Sequence, residues 1–187
     1  MSIDKTKLKS YLEDAETHLT DELLPFWTDR CKDEIKGGFI THFDRDGNDT
    51  GEDEKSLISQ SRTVYSMSAA HRDGYGNGKC LELAEHGYRF LTESMWDEKH
   101  DGFYWTTDRN GNVAIDKKIL YGHSFAIYAL STYATVTGDS APLEYAERVF
   151  ELIQTHAADT YFGGYFEMFD RDWTLAGPGS AGGDRKT

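Results

Sequence analysis

The sequence predicts an all-α fold: an α/α toroid left open after about five long helices, with short β-hairpins between its outer and inner helices. Three observations carry this reading. One glycine-and-aromatic sentence is written three times, at 37–48, 101–112 and 163–173. The stretches between the copies have helical periodicity. Those stretches alternate between helices with one apolar face and helices that are apolar on more than one side.

The repeat is regular. Gly38, Gly102 and Gly164 are 64 and 62 residues apart. In the middle copy, Phe103, Tyr104, Trp105 and Thr106 favour a pleated, half-buried strand. Asn110-Gly111 then tolerates positive φ and closes a hairpin. Helix one is expected over 5–31, where Leu8, Tyr11, Leu12, Ala15, Leu19 and Leu23 line one face, with a kink or new turn at Pro25. Helix two, 56–72, is apolar on several sides and carries Arg62 in its middle. Helix three, 79–94, shows a single stripe and a charged face, so it is an outer helix. Helix four, 119–137, fills its remaining positions with Ala, Ser and Gly, so it packs closely and is internal. Helix five, 141–157, is outer again, with Asp139 or Ser140 as cap and Pro142 in its first turn.

Each unit therefore runs outer helix, hairpin, inner helix. The third unit leads instead into a tail over 176–187 with no apolar periodicity, read as a flexible linker. Residues 1–175 are then one domain, an incomplete ring. Helices two and four are expected to expose an apolar edge where that ring is open.

Composition narrows the function. A formal charge of −13 argues against nucleic acid and anionic membranes as partners. Cys31 and Cys80, with no CxxC, read as reduced buried thiols of a cytoplasmic protein. No apolar run approaches the ~18 residues of a membrane span, and the first residues show no signal-peptide core.

The colinear set 23–27 (Leu-Leu-Pro-Phe-Trp), 37–47, 55–62 (Lys-Ser-Leu-Ile-Ser-Gln-Ser-Arg), 96–105, 121–130 (Tyr-Gly-His-Ser-Phe-Ala-Ile-Tyr-Ala-Leu) and 163–173 resembles the N-acylglucosamine 2-epimerase superfamily. That group includes cellobiose 2-epimerases and aldose–ketose isomerases acting on mannose-like sugars. The resemblance implies an (α/α)6 barrel of which this chain is the N-terminal half. It implies an isomerase that moves a proton at the carbon next to a sugar carbonyl, through an enediolate, with no metal or redox cofactor. It places the general acid/base histidines in the other half, so no catalytic residue is expected here. A mono- or disaccharide is the implied ligand, and a complementary C-terminal half or a second copy the implied protein partner.

Three residues are candidate sugar contacts. Arg62, amid apolar neighbours on an inner helix, needs an acceptor: a substrate oxygen or a structural carboxylate. Tyr104 is the hairpin aromatic that the family pattern favours as a sugar contact. His123, on inner helix four, has a cavity-lining reading and a buried-core reading. Asp44, Asp108 and Asp170 recur at the same hairpin point, which suits turn capping. Paired carboxylates in a similar toroid would instead suit a glycoside hydrolase, and a third reading is a non-catalytic carbohydrate-binding half-barrel.

Overall fold

A computed structural model of the chain describes residues 4–177. The elements repeat as the sequence does. Unit one holds α1 (Lys5–His18), a π turn (Leu19–Leu23), α2 (Leu24–Arg30), β1 (Glu54–Ser56) and α3 (Leu57–Arg72). Unit two holds α4 (Lys79–Phe90) with its π turn (Leu91–Met95), β2 (Thr106–Asp108), β3 (Val113–Ile115), β4 (Lys118–Ile119) and α5 (Leu120–Thr137). Unit three holds α6 (Ala141–Leu152), its π turn (Ile153–Ala157) and β5 (Met168–Phe169). The two inner helices α3 and α5 pack along each other, α4 lies on α3 and α6 on α5. Local chemistry sets the ends. Asp4 caps α1, Ser56 caps α3, and Pro25 opens α2 directly after the π turn. Asp139 Oδ1 accepts the Ala141 N–H at 2.9 Å ahead of α6.

One turn follows every outer helix. Asp33 donates its N–H to Gly38 O, Asp97 to Gly102 O and Asp159 to Gly164 O, at 3.0, 2.9 and 2.9 Å. The same aspartates use Oδ1 to accept N–H groups inside the turn, from Lys36, Lys99 and Tyr161 among others. A second turn recurs further on: Asp44 donates to Asn48 O, Asp108 to Asn112 O and Asp170 to Thr174 O. The capping expected of these residues is present at Asp44 and Asp108, whose Oδ1 atoms accept the N–H groups of Asn48 and Asn112, both at 2.9 Å. In the third copy Asp170 is paired with Lys117.

The units are joined by a buried ionic clasp. The strand ahead of each inner helix pairs with the next unit's hairpin: β1 with β2, placing Lys55 opposite Thr107, and β4 with β5, placing Lys118 opposite Phe169. Lys55 reaches Asp33 Oδ2 at 3.1 Å, and Arg109 of the next hairpin reaches the same atom at 3.1 Å. Lys118 reaches Asp97 Oδ2 at 3.1 Å, and Arg171 of the next hairpin grips both Asp97 oxygens at 2.8 and 2.9 Å. Asp33, Asp97, Lys55 and Lys118 are all buried. Despite the opposing cost of burial, the hydrogen bonds and charges around Asp97, chiefly from Arg171 and Lys118, hold its carboxyl well below the usual range, while burial pulls Lys118 down to about 8.

Three expectations are revised. The aromatic stretch 103–105 is not regular strand: Phe103 makes one bridge to Trp96, and β2 starts at Thr106. The apolar edge is only partly on the inner helices: α5 exposes Tyr121 and Tyr128, whereas α3 exposes no large apolar side chain and the outer helices expose more. Leu8 and Leu12 of α1 are 57% and 66% exposed, and Phe150 of α6 is 55% exposed. Helix α3 buries its apolar face against α4 and α5, leaving Arg62 and Ser66 outward. The proposed tail 176–187 lies outside the described residues except for Ala176 and Gly177, and Ala176 is buried with its N–H on Met168 O at 3.0 Å.

Gly102 tests how tightly the units meet. It has φ 73°, and a Cβ there would come within 2.7 Å of the Trp173 ring and 2.9 Å of His123 Nε2. Gly138, at φ 72°, has nothing within 4 Å. Urea unfolding is expected to show Gly102→Ala costing about 3 kcal/mol or more, from strain plus overpacking. Gly138→Ala is expected to cost only about 1 kcal/mol, from backbone strain alone.

Candidate functional site

The exposed stripes of the two inner helices form one aromatic and polar face. Arg62 and Ser66 are exposed on α3, as are Tyr121, Ser124 and Tyr128 on α5. The spacing 121, 125, 128 puts Tyr121, Phe125 and Tyr128 on one side of α5. Tyr121 meets Phe125 edge-on at 5.0 Å between ring centres, and Tyr65 of α3 stacks on Tyr128 at 3.9 Å. The Arg62 guanidinium lies 5.6 Å from the centre of the Phe125 ring. A groove of about 760 Å3 opens beside it, lined by Arg62, Ser59, Thr63 and Ser66 of α3, with Trp27 and Leu23 across from them.

Arg62 is exposed, and among the described residues no carboxylate lies within ion-pair distance of it. This differs from the buried setting expected from its apolar neighbours in sequence. Those neighbours turn inward, and the guanidinium projects from the face with its donors available. A planar cation with fixed donors, held over an aromatic ring, is suited to carbonyl or enediolate oxygens. Tyr128 is pushed up, chiefly by its hydrogen bond to Tyr65. Glu167 sits at the N-terminus of α5, where its Oε1 accepts the Tyr121 N–H at 3.2 Å. Burial raises its pKa, and its Oε2 is buried with no hydrogen-bond partner among the described residues.

The other two candidates lie elsewhere. The Tyr104 hydroxyl accepts from Arg171 Nη2 at 2.8 Å, and the ring lies beneath both Arg171 and Lys118. Tyr104 therefore lines the clasp. His123 is fully buried. Its Nε2 accepts the Phe103 N–H at 2.9 Å and its Nδ1 faces Ile119 O at 2.8 Å, which fixes the neutral Nδ1–H tautomer. Both ring nitrogens are thus engaged by backbone. Gln60 does the same work one unit earlier, accepting the Phe39 N–H at 2.7 Å and donating to Phe39 O at 2.9 Å. Gln60 and His123 each stand five residues after a clasp lysine, a match visible in the sequence. The aromatics Tyr65, Tyr121, Phe125 and Tyr128 were absent from the sequence candidates because all-round apolarity reads as burial. The unmatched signal was their shared spacing along one side.

The wider comparison fits this architecture. Residues 38–181 match the family described as N-acylglucosamine 2-epimerase (GlcNAc 2-epimerase). The chain belongs to the N-acylglucosamine 2-epimerase family. It is 35% identical over 164 residues to the cellobiose 2-epimerase of Ruminococcus albus, covering 88% of this chain and 41% of that protein. It is 30% identical over 112 residues to the D-mannose isomerase of Thermobifida fusca, covering 60% of this chain and 27% of that protein. The solved cellobiose 2-epimerase from Spirochaeta thermophila superposes with a TM-score of 0.87 at 33% identity, covering 92% of this chain and 42% of that one. The chain thus spans about two fifths of the length of its cellobiose 2-epimerase relatives. Its helices are those of the family's α/α toroid, over part of the ring.

The buried histidine gives a pH signature. Burial pushes His123 down to about 4, below its ordinary 6.5. The unfolded chain then takes up a proton first, so stability falls as pH drops from 6.5 to 4. The clasp carboxylates, Asp33 and Asp97, are lowered and act below that window. His123→Gln, which copies Gln60, is expected to remove up to about 3 kcal/mol of the loss between pH 6.5 and 4 in urea titrations. An unchanged slope there would assign the loss to other groups.

Proposed function

We propose that this chain is the N-terminal part of a sugar 2-epimerase or aldose–ketose isomerase, with residues 1–175 as its half of the toroid and a mono- or disaccharide as substrate. The observation that carries this reading is Arg62, exposed on an aromatic inner face and outside any ion pair among the described residues. The names of the relatives, cellobiose 2-epimerase and D-mannose isomerase, support the sugar class.

In such a reaction the proton on the carbon beside the carbonyl leaves, and negative charge moves onto the carbonyl oxygen. Arg62 is placed to meet that charge as it develops, which favours the transition state over the ground state. Tyr121, Phe125 and Tyr128 offer flat faces for the C–H side of a sugar, and the Tyr hydroxyls offer hydrogen bonds to its oxygens. The proton itself moves through histidines that the family resemblance assigns to the remaining length. Epimerisation returns the proton to the same carbon from the other face; isomerisation delivers it to the neighbouring carbon. Tyr104 and His123 serve this site indirectly, by fixing the hairpin and helix that carry Tyr121.

Saturation-transfer NMR of the whole chain with mannose and with cellobiose tests the reading. Transfer to at least one sugar is expected. Arg62→Ala is expected to weaken it about tenfold or more, as for a lost charge-assisted hydrogen bond, with unchanged thermal unfolding. No transfer from the wild-type chain, or equal transfer from the variant, contradicts it.

A further inference from the structure

The two cysteines stand at one seam between units one and two. Cys31 closes the C-terminal end of α2, and Cys80 lies in the first turn of α4. Helix α2 packs on α4, and an ion pair ties the same two ends: Lys79, next to Cys80, reaches Asp29, two residues before Cys31. Both thiols are free and fully buried in one apolar cluster. Burial pushes the Cys31 thiol up to about 12, and the nearby Cys80 adds to that rise. Burial raises Cys80 as well. Neither thiol ionises at pH 7 while it stays covered. Neither lines the groove beside Arg62, so the sugar reading gives them no task.

Their cover is thin on one side. A cleft of about 460 Å3, lined by Asp29, Lys32, Lys79 and Leu83 among others, runs along the seam. The loop 74–78 passes directly over Cys80. A Cβ at Gly76 would come within 2.3 Å of Cys80 Sγ, so backbone alone covers the sulfur there. At Gly74 and Gly78 a Cβ would meet nothing within 4 Å, so both ends of the loop stand clear of packing on those sides. A segment with so little packed against it opens locally at low cost.

We propose that Cys31 and Cys80 are a redox pair, which a hydroperoxide oxidises to one disulfide that joins α2 to α4 and staples unit one to unit two. Opening of the loop lets solvent reach Cys80, whose sulfur attacks one peroxide oxygen. An S–O bond forms, the O–O bond breaks, and the departing hydroxide leaves as water with the thiol proton. Cys31 then attacks the Cys80 sulfur. The S–S bond forms, the S–O bond breaks, and a second water leaves. Two thiols are oxidised and one peroxide is reduced to two waters. The disulfide closes a loop of about fifty residues, which removes freedom from the unfolded chain. The inference is independent of the sugar reading, since its test reads thiols and unfolding and not activity.

The whole chain is treated with hydrogen peroxide, and peptide mapping and thermal unfolding are read before and after dithiothreitol. Dithiothreitol reduces a disulfide but leaves methionine sulfoxide in place, so the difference reports the cysteines alone. A Cys31–Cys80 link within one chain is expected, with Tm about 5 °C or more above that of the dithiothreitol-treated sample. Cys31→Ala and Cys80→Ala should each show no dithiothreitol-sensitive gain in Tm. Survival of both thiols in the folded chain, or a link formed only between two chains, overturns the proposal. A Cys31–Cys80 link that leaves Tm unchanged or lower also overturns it, by removing the stapling role.

Discussion

The aspartate at the end of each outer helix, buried at Asp33 and Asp97, is the constraint on which the rest of the structure depends. Its backbone and one oxygen close the turn that leads into the hairpin. In Asp33 and Asp97 the other oxygen collects a lysine from the same unit and an arginine from the next. Such a charge is tolerated inside the protein only while these partners hold it. The partners therefore fix where the following strand, hairpin and inner helix can lie. The hydrophobic core fills the space between helices, but it is non-directional. The clasp supplies the register that sets one unit against the next.

The candidate site is a consequence of that register. Lys55 and Lys118 lie in the strands that run directly into α3 and α5. Five residues later Gln60 and His123 read the backbone of Phe39 and Phe103, which fixes each inner helix against its own hairpin. With one side of each helix committed in this way, the opposite side is left outward. That side carries Arg62 on α3 and the Tyr121, Phe125 and Tyr128 series on α5. The face that carries Arg62 is thus separate from the ionic groups that hold the units, and among the described residues no carboxylate lies within ion-pair distance of Arg62.

Much of the fold was legible because its signals are local. Gly-aromatic repeats, Asp139, Pro25 and Gly138 act within a few residues of themselves, and the helices lie close to where periodicity puts them. The clasp was not legible, because Asp33 meets Arg109 across 76 residues and Asp97 meets Arg171 across 74. Of the candidate site, Arg62 was recognised but placed in a buried setting, since apolar neighbours in sequence do not tell which way a side chain leaves a helix. His123 looked like a lone histidine on a crowded helix; alignment with Gln60 shows it as one of a pair. Tyr104 was judged by its aromatic neighbours, whereas its hydroxyl is claimed by Arg171, 67 residues away.

The central claim is that consecutive units are coupled through the shared aspartate. A double-mutant cycle between Asp33 and Arg109, using Asp33→Asn, Arg109→Gln and the pair, measures this in urea unfolding at pH 7. A coupling energy of at least about 1 kcal/mol is expected, because the buried Asp33 carboxylate loses one of its two cationic partners when Arg109 is replaced. Additivity within about 0.5 kcal/mol would contradict it, and would leave the ion pairs as passengers on a fold held by its core.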